Sequence, residues 1–259
     1  MPTSVFSAGV AHLAIQDIFE AVQGLESQGL VAKVFLSFYQ IYVDNIYDLL
    51  ATPSSALSSN SPSLSIRQDP THGIYIEHLS SVFIKDPDAA YKLIKQGQCN
   101  RTTQSTQYNF SSSRSHAILQ FHLDFEEANI QNTQSTFNVS VQRYTVRRRK
   151  LMLVDLAGSE KMPTYKHMSK LQYREAQEIN KSISALTNVI LALNSGQHVP
   201  YRDNKLTRIL GESLGGQAKS SLIACIVPCV YTLEETRNTL KFDVLRELVA
   251  SLQWCHCCV

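Results

Sequence analysis

Two short polar segments carry the side chains that a nucleoside triphosphate and its metal ion need. The first, Asn109-Phe110-Ser111-Ser112-Ser113-Arg114-Ser115-His116, stands directly before a strand pattern. Hydroxyls in such a run can ligate magnesium or touch a terminal phosphate, and the arginine can meet a carboxylate through two parallel hydrogen bonds. The second, Asp155-Leu156-Ala157-Gly158-Ser159-Glu160, stands at the C-terminal end of a strand pattern, where α/β folds hold ligands. Asp155 can hold a magnesium-bound water there, and Gly158, with no side chain, can bring its backbone N–H close to a γ-phosphate. Each segment alone also has a plain structural reading, because serine runs are commonly loops and Asp-x-x-Gly is commonly a turn.

The elements that must position these segments follow from the periodicity. Ile15, Ile18, Phe19 and Val22 put one apolar stripe on a helix ending near Gly24, and residues 31–42, rich in Val, Phe, Ile and Tyr, predict a buried strand. Asp86 and Pro87 supply an N-cap and a first-turn proline for a helix predicted to stop at Gly97. Ala117, Leu119, Phe121, Leu123 and Phe125 alternate with Ile118, Gln120, His122 and Asp124, the period of a strand with one buried face. The basic run 147–150 leads into a short strand at 151–155. Ile179, Ile183, Leu186, Ile190 and Leu193 form the longest helical stripe, ended by Gly196. A helix around 204–213, an interior strand at 221–227, and a last helix opened by the Thr232/Glu235 capping box complete the pattern. Strands alternating with helices predict a three-layer α/β domain.

The 259 residues, 44% apolar and 18% charged, suffice for one large or two small domains at roughly 150 residues each, and they exclude disorder and collagen-like repeats. The six cysteines, at 99, 225, 229, 255, 257 and 258, have neither disulfide-framework nor zinc-site spacing, which predicts a reducing, intracellular setting. The longest apolar stretch, 222–230, is interrupted by Pro228 and is far short of the ~20 residues that span a bilayer, so no membrane partner is expected. Net charge is only +2, but residues 1–90 hold 3 basic and 9 acidic side chains, against 10 basic and 4 acidic in 143–181. That second segment is a candidate contact for an acidic surface. It lacks the interleaved aromatics and recognition-helix patterns of nucleic-acid binders, so nucleic acid is not expected as a partner.

Taken together and in this order, the two polar segments resemble switch I and switch II of the kinesin motor domain. Phe38-Tyr39-Gln40-Ile41-Tyr42 with Ile46-Tyr47-Asp48-Leu49-Leu50 is similar to the family's strand and short helix, with Gln40 where glutamate is usual. Asn100-Arg101 matches the helix before switch I. Ile179-Asn180-Lys181-Ser182 resembles the start of the long switch II helix, and His198-Val199-Pro200-Tyr201-Arg202-Asp203-Asn204-Lys205-Leu206-Thr207-Arg208 the loop and helix after it. The match runs from about Gly9 to Phe242. It implies a three-layer, P-loop NTPase-like motor fold with a central mixed sheet, and an ATP-driven microtubule motor in the cytoplasmic cytoskeleton. By this resemblance Asn109 and Ser112 would contact the nucleotide, and Ser113 and Asp155 would hold magnesium. Gly158 would sense the γ-phosphate, and Arg114 would bridge to Glu160 around the attacking water. For tubulin the implied contacts are Lys161, Lys166, Lys170, Lys181, Tyr201, Arg202, Lys205 and Arg208.

The sequence departs from the family at several points. No Gly-x-x-x-x-Gly-Lys-Ser/Thr occurs: Gly24 and Gly29 are followed by Leu30-Val31, and Gly211 and Gly216 by Gln217-Ala218. The expectation is therefore a partial motor domain over 1–250 with impaired ATPase, lacking the family's N-terminal strands, so that Val34, Leu36 and Phe38 face an open sheet edge. A noncatalytic microtubule- or tubulin-binding module is the alternative, and oligomerisation would run through regions outside this chain. The loop Lys161-Met162-Pro163-Thr164-Tyr165 lacks the usual glycines, and residues 251–259 form a cysteine-rich tail unlike a neck linker.

Overall fold

The computed structural model describes residues 9–51, 63–70, 73–107, 114–129, 143–158, 170–215, 218–226, 229, 233–234, 236–237 and 239. Its elements are α1 (Val10–Ser27), β1 (Ala32–Tyr42), β2 (Asn45–Asp48), β3 (Ile66–Asp69), β4 (Gly73–Ile76), β5 (Val82–Ile84), α2 (Pro87–Gln107), β6 (His116–Asn129), β7 (Arg143–Asp155), α3 (Lys170–Ser195), a 3-10 turn (Tyr201–Asp203) and α4 (Lys205–Gly215).

β1 is the hub of the main sheet. Along one edge it pairs with β6, from Ala32 opposite Phe125 to Ile41 opposite His116, and β6 pairs in turn with β7. Its other edge takes β5 at Val34–Leu36 and β2 at Tyr39–Tyr42. The open edge expected at Val34, Leu36 and Phe38 is therefore absent: Val34 lies between Ile84 and Leu123, and Leu36 between Val82 and Phe121, while Phe38 faces Leu119. The expectation failed because the hairpin and β5, both downstream of β1, fold back onto that edge. Every pairing among the described strands is antiparallel, whereas the resemblance implied a mixed sheet.

The two-residue period of β1 distributes its apolar side chains to both faces. Val34, Leu36 and Phe38 join Ile15, Phe19 and Val22 of α1 and Ala90 of α2 in one cluster. Tyr39 and Ile41 point the other way, to Leu186 and Ile190 of α3 and Leu206, Ile209 and Leu210 of α4. The result is the expected three layers, helices on both faces of a sheet. β6 is consequently covered on both sides, with Ile118 as deeply buried as Phe121, rather than on one face as its alternation suggested.

Local chemistry explains where other elements depart from expectation. Residues 46–50, similar to a short family helix, instead form strand β2 and a turn. The Val43-Asp44 turn, both residues at positive φ (46° and 58°), reverses the chain directly into a hairpin. α2 begins as predicted, with the Asp86 carboxylate accepting the Ala89 amide at 2.7 Å, but it runs through Gly97 to Gln107. Gly97 serves there as a close-approach position: a Cβ would stand 2.2 Å from the Phe38 ring. β7 starts at Arg143, so the basic run is strand, with Arg148 paired to Asp124 and Lys150 to Glu212. Residues 221–226 are not strand, and Ile223 and Ile226 are each 48% exposed. An interior strand needs ladders on both sides, and among the described residues none lies beside this segment. The predicted last helix is represented by helical residues at 233–234, 236–237 and 239, and the tail at 251–259 lies outside the described residues.

The two helical glycines give opposite expectations. At Gly24 nothing stands within 4 Å of an added Cβ, so Gly24→Ala should stabilise the fold by about 0.5–1 kcal/mol through helix propensity. At Gly97 the same change must displace the Phe38 ring, and Gly97→Ala should destabilise by about 1–3 kcal/mol. Denaturant unfolding midpoints of the two variants measure both signs.

Candidate functional site

The described parts of the two chemically suggestive segments, 114–116 and 155–158, meet where β6 begins and β7 ends, because the register sets Ala117 opposite Asp155. Arg101, near the end of α2, holds these strand ends together. Its Nη1 donates to Asp155 Oδ2 at 3.1 Å, and its Nη2 donates to the Ser115 carbonyl at 3.0 Å and to Ser115 Oγ at 3.3 Å. Asn100 beside it donates to the Leu49 carbonyl at 2.8 Å, tying α2 to the end of the β1–β2 hairpin.

His116 lies at the centre and is fully enclosed. The Ala157 amide donates to its Nδ1 at 2.9 Å, so the neutral ring carries its proton on Nε2, which donates to Ser182 Oγ at 2.8 Å. The Ser182 hydroxyl in turn donates to the Ile179 carbonyl at 2.7 Å. Every polar atom in this chain has one role, and together they connect β6, the segment after β7 and α3. Burial pushes the His116 imidazole down to about 4; the Arg101 guanidinium pushes the same way and the Asp155 carboxylate opposes.

A second cross-link joins the same elements. Glu175 of α3 is 1% exposed, and its carboxylate accepts Arg114 Nη1 at 2.6 Å on one oxygen and the Tyr42 hydroxyl on the other. Burial and the bond to Glu175 hold the Tyr42 phenol protonated well above its usual range. Arg114, His116, Glu178, Ser182 and the turn residues Val43 and Asp44 line a cavity of about 10 Å³. That is room for about one water, far below the ~300 Å³ of a ligand pocket.

The predicted residues divide as follows. Arg114, Asp155 and Gly158 are gathered at the strand ends. Lys181 lies on α3, Lys205 and Arg208 on α4, and Tyr201 and Arg202 on the turn before it, in the layer on the opposite side of the sheet from α1 and α2. Lys170 opens α3. Asn109, Ser112, Ser113, Glu160, Lys161 and Lys166 lie outside the described residues. Asp155 is 74% exposed and gives only Oδ2 to Arg101, which leaves Oδ1 as the kind of hard oxygen donor that a magnesium-bound water needs. Neither glycine pair forms a phosphate cradle: Gly24 lies within α1, Gly29 precedes rather than follows a strand, and Gly211 is buried inside α4.

Sequence reasoning named Arg101 and His116 only as parts of family-like segments, without a role, and missed Glu175. Glu175 had a readable signal, since it stands four residues before Ile179 and extends the apolar stripe with a carboxylate. A carboxylate on a buried stripe needs partners.

Comparison with known proteins decides the family. A model described as the kinesin motor domain matches residues 2–245. The chain belongs to the kinesin motor domain family. It is 37% identical over 237 residues to the kinesin heavy chain of Drosophila melanogaster, covering 90% of this chain and 22% of that one. It is 35% identical over 243 residues to kinesin-like protein KIN-1 of Oryza sativa subsp. japonica, covering 93% and 46%. The solved structure of a fast kinesin superposes with a TM-score of 0.77 at 33% identity, over 95% of this chain and 65% of that one. The motor and motor homology domain of Kar3Vik1 superposes with a TM-score of 0.72 at 33% identity, over 94% and 58%. The chain thus spans less than two thirds of each of these kinesins.

The neutral state of His116 makes stability pH-dependent. Its folded pKa of about 4 lies below the ordinary 6.5, so the contribution is fully present above pH 6.5 and is lost as pH falls from there toward 4. The loss amounts to about 3 kcal/mol. Unfolding free energies measured from pH 7 to pH 4 should show it, and His116→Asn, less stable at pH 7, should lack that part of the slope.

Proposed function

We propose that this chain is the filament-binding part of a kinesin motor domain, one that couples nucleotide state to microtubule binding in the cytoplasmic cytoskeleton with impaired ATPase of its own. The observation that carries the reading is the His116 chain. It bonds the segment holding Asp155 and Gly158 to the helix holding Lys181, so a displacement at one is felt at the other. In this reading the nucleotide is ATP with magnesium. Asp155 would hold a magnesium-bound water together with Ser113, Asn109 and Ser112 would contact the nucleotide, and Gly158 would meet the γ-phosphate. Magnesium supplies neutralisation of phosphate charge; Arg101 keeps the Asp155 carboxylate in place, and Arg114 offers its guanidinium to Glu160.

The microtubule face comprises Lys161, Lys166, Lys170, Lys181, Tyr201, Arg202, Lys205 and Arg208. Support comes from the exposed Lys181 on α3 and Arg202 on the turn, with the partly buried Lys205 and Arg208 on α4, a helix that packs on α3; this positive charge suits the acidic surface of tubulin. A second reading, a noncatalytic tubulin-binding module, is favoured by one feature: no Gly-x-x-x-x-Gly-Lys-Ser/Thr occurs in the 259 residues.

Co-sedimentation with microtubules at low salt, with and without magnesium-ATP, separates the readings. The purified chain should pellet, and Lys181→Ala or Arg208→Ala should each weaken binding by about two- to tenfold, with less effect at high salt. ATP should change the bound fraction, and Asp155→Ala should remove that change. Binding indifferent to ATP selects the noncatalytic module, and no pelleting at low salt overturns both. Rapid ATP turnover on microtubules that is lost in Asp155→Ala would overturn the impaired ATPase.

A further inference from the structure

We propose that Glu175 is a positioning residue for Arg114, fixing how the guanidinium is presented to a second anionic group at the nucleotide end of the site. The proposal deepens the coupling reading above and rests on it for the identity of that group, Glu160. A guanidinium has a fork of five N–H donors, and carboxylates engage it best along an edge with two parallel bonds. Here Glu175 commits only Nη1, at 2.6 Å, and the Nε and Nη2 groups of Arg114 have no partner among the described residues. One edge of the fork is therefore held and the other remains available.

The holder is itself immobile. Glu175 is almost wholly buried, its other oxygen is taken by the Tyr42 hydroxyl, and Tyr42 is anchored in β1 beside the tight Val43-Asp44 turn. A buried carboxylate stripped of its cation is strongly penalised, which keeps Arg114 on Glu175 through Nη1 while its other N–H groups stay available. Arg114 adjoins Ser113 in sequence and lies two residues before His116. The contact therefore orients the same segment that the His116 chain ties to α3, from a point about two helical turns earlier in that helix.

Three variants and two readouts test this. Hydrogen exchange is followed at amides 115–117 and, as control, in α4 and β1; microtubule co-sedimentation is run with and without magnesium-ATP. Glu175→Gln should speed exchange at 115–117 by about tenfold or more with the controls unchanged, and should abolish the ATP-dependent change in bound fraction. Arg114→Lys keeps a charge for Glu175 but loses the fork. It should leave exchange within about twofold of the parent and still abolish the ATP response. Adding Glu175→Gln to Arg114→Lys should do nothing further to the ATP response. Glu175→Gln with parental exchange at 115–117 overturns the proposal, as does faster exchange spread through α4 and β1, the mark of a merely structural role. If the unsubstituted chain shows no ATP response, the coupling reading falls, and the local exchange change in Glu175→Gln alone decides whether Glu175 positions Arg114.

Discussion

A neutral imidazole enclosed between a backbone amide and a helix hydroxyl constrains everything around it. The Ala157 amide requires an acceptor at Nδ1 of His116, so the ring proton must be on Nε2; Ser182 Oγ accepts that hydrogen bond and its hydroxyl donates to the Ile179 carbonyl. None of these roles can be exchanged without leaving a buried donor or acceptor unmet, at about 1–3 kcal/mol each. The end of β7, the start of β6 and the middle of α3 therefore shift together or separate by breaking a discrete bond. A packed sheet and helix connected in this way give two-state behaviour rather than gradual deformation.

The sheet explains why that chain sits where it does. Because β1 pairs on both edges and is covered on both faces, its middle offers no room for chemistry, and polar groups collect at the strand ends. Arg101 reaches these ends from α2 on one side of the sheet, while Ser182 and Glu175 reach them from α3 on the other. Further back, near the middle of β7, a different set of bonds holds the layers. Glu212 of α4 accepts Lys150 at 2.8 Å and the Ile74 amide at 2.7 Å, over Gly73, where a Cβ would stand 2.0 Å from the carboxylate. The helix layer that carries Lys181, Lys205 and Arg208 is thus fastened to the sheet at two places, by different chemistry at each.

Much of this was legible in the sequence, and the failures have physical causes. The stripes of α1 and α3, the Asp86 cap and the two polar segments appear directly as spacing, since local periodicity reports which face is buried. Their meeting at the ends of β6 and β7 was readable only through the family resemblance. Gly97 misled because a glycine that stops a helix and a glycine that admits a neighbouring ring look alike in sequence; only the Phe38 contact separates them. Residues 221–226 misled in the reverse way, since an apolar, β-branched run announces a strand but cannot announce its partners. Val43-Asp44 carries no glycine or asparagine, so the hairpin it makes at positive φ was hidden from turn chemistry. The roles of Arg101 and Glu175 were missed because their significance is a pairing across 54 and 61 residues, with Asp155 and Arg114 respectively.

The contrast between the two paired carboxylates indicates how the region divides its labour. Glu175 is buried with both oxygens occupied, and moving it away from its cation would leave an uncompensated charge in a low-dielectric interior. Asp155 is largely in water, holds Arg101 by a single oxygen, and loses little if that contact is exchanged for another, because an exposed ion pair contributes about 0–1 kcal/mol. The α3 side is thereby a fixed reference and the end of β7 an adjustable one. In the proposed coupling, a ligand that competes for Asp155 works against a weak contact, and the resulting shift would reach α3 through the directional bonds of His116. Affinity for a small charged ligand and mechanical connection to a distant helix can then reside in neighbouring residues without opposing each other.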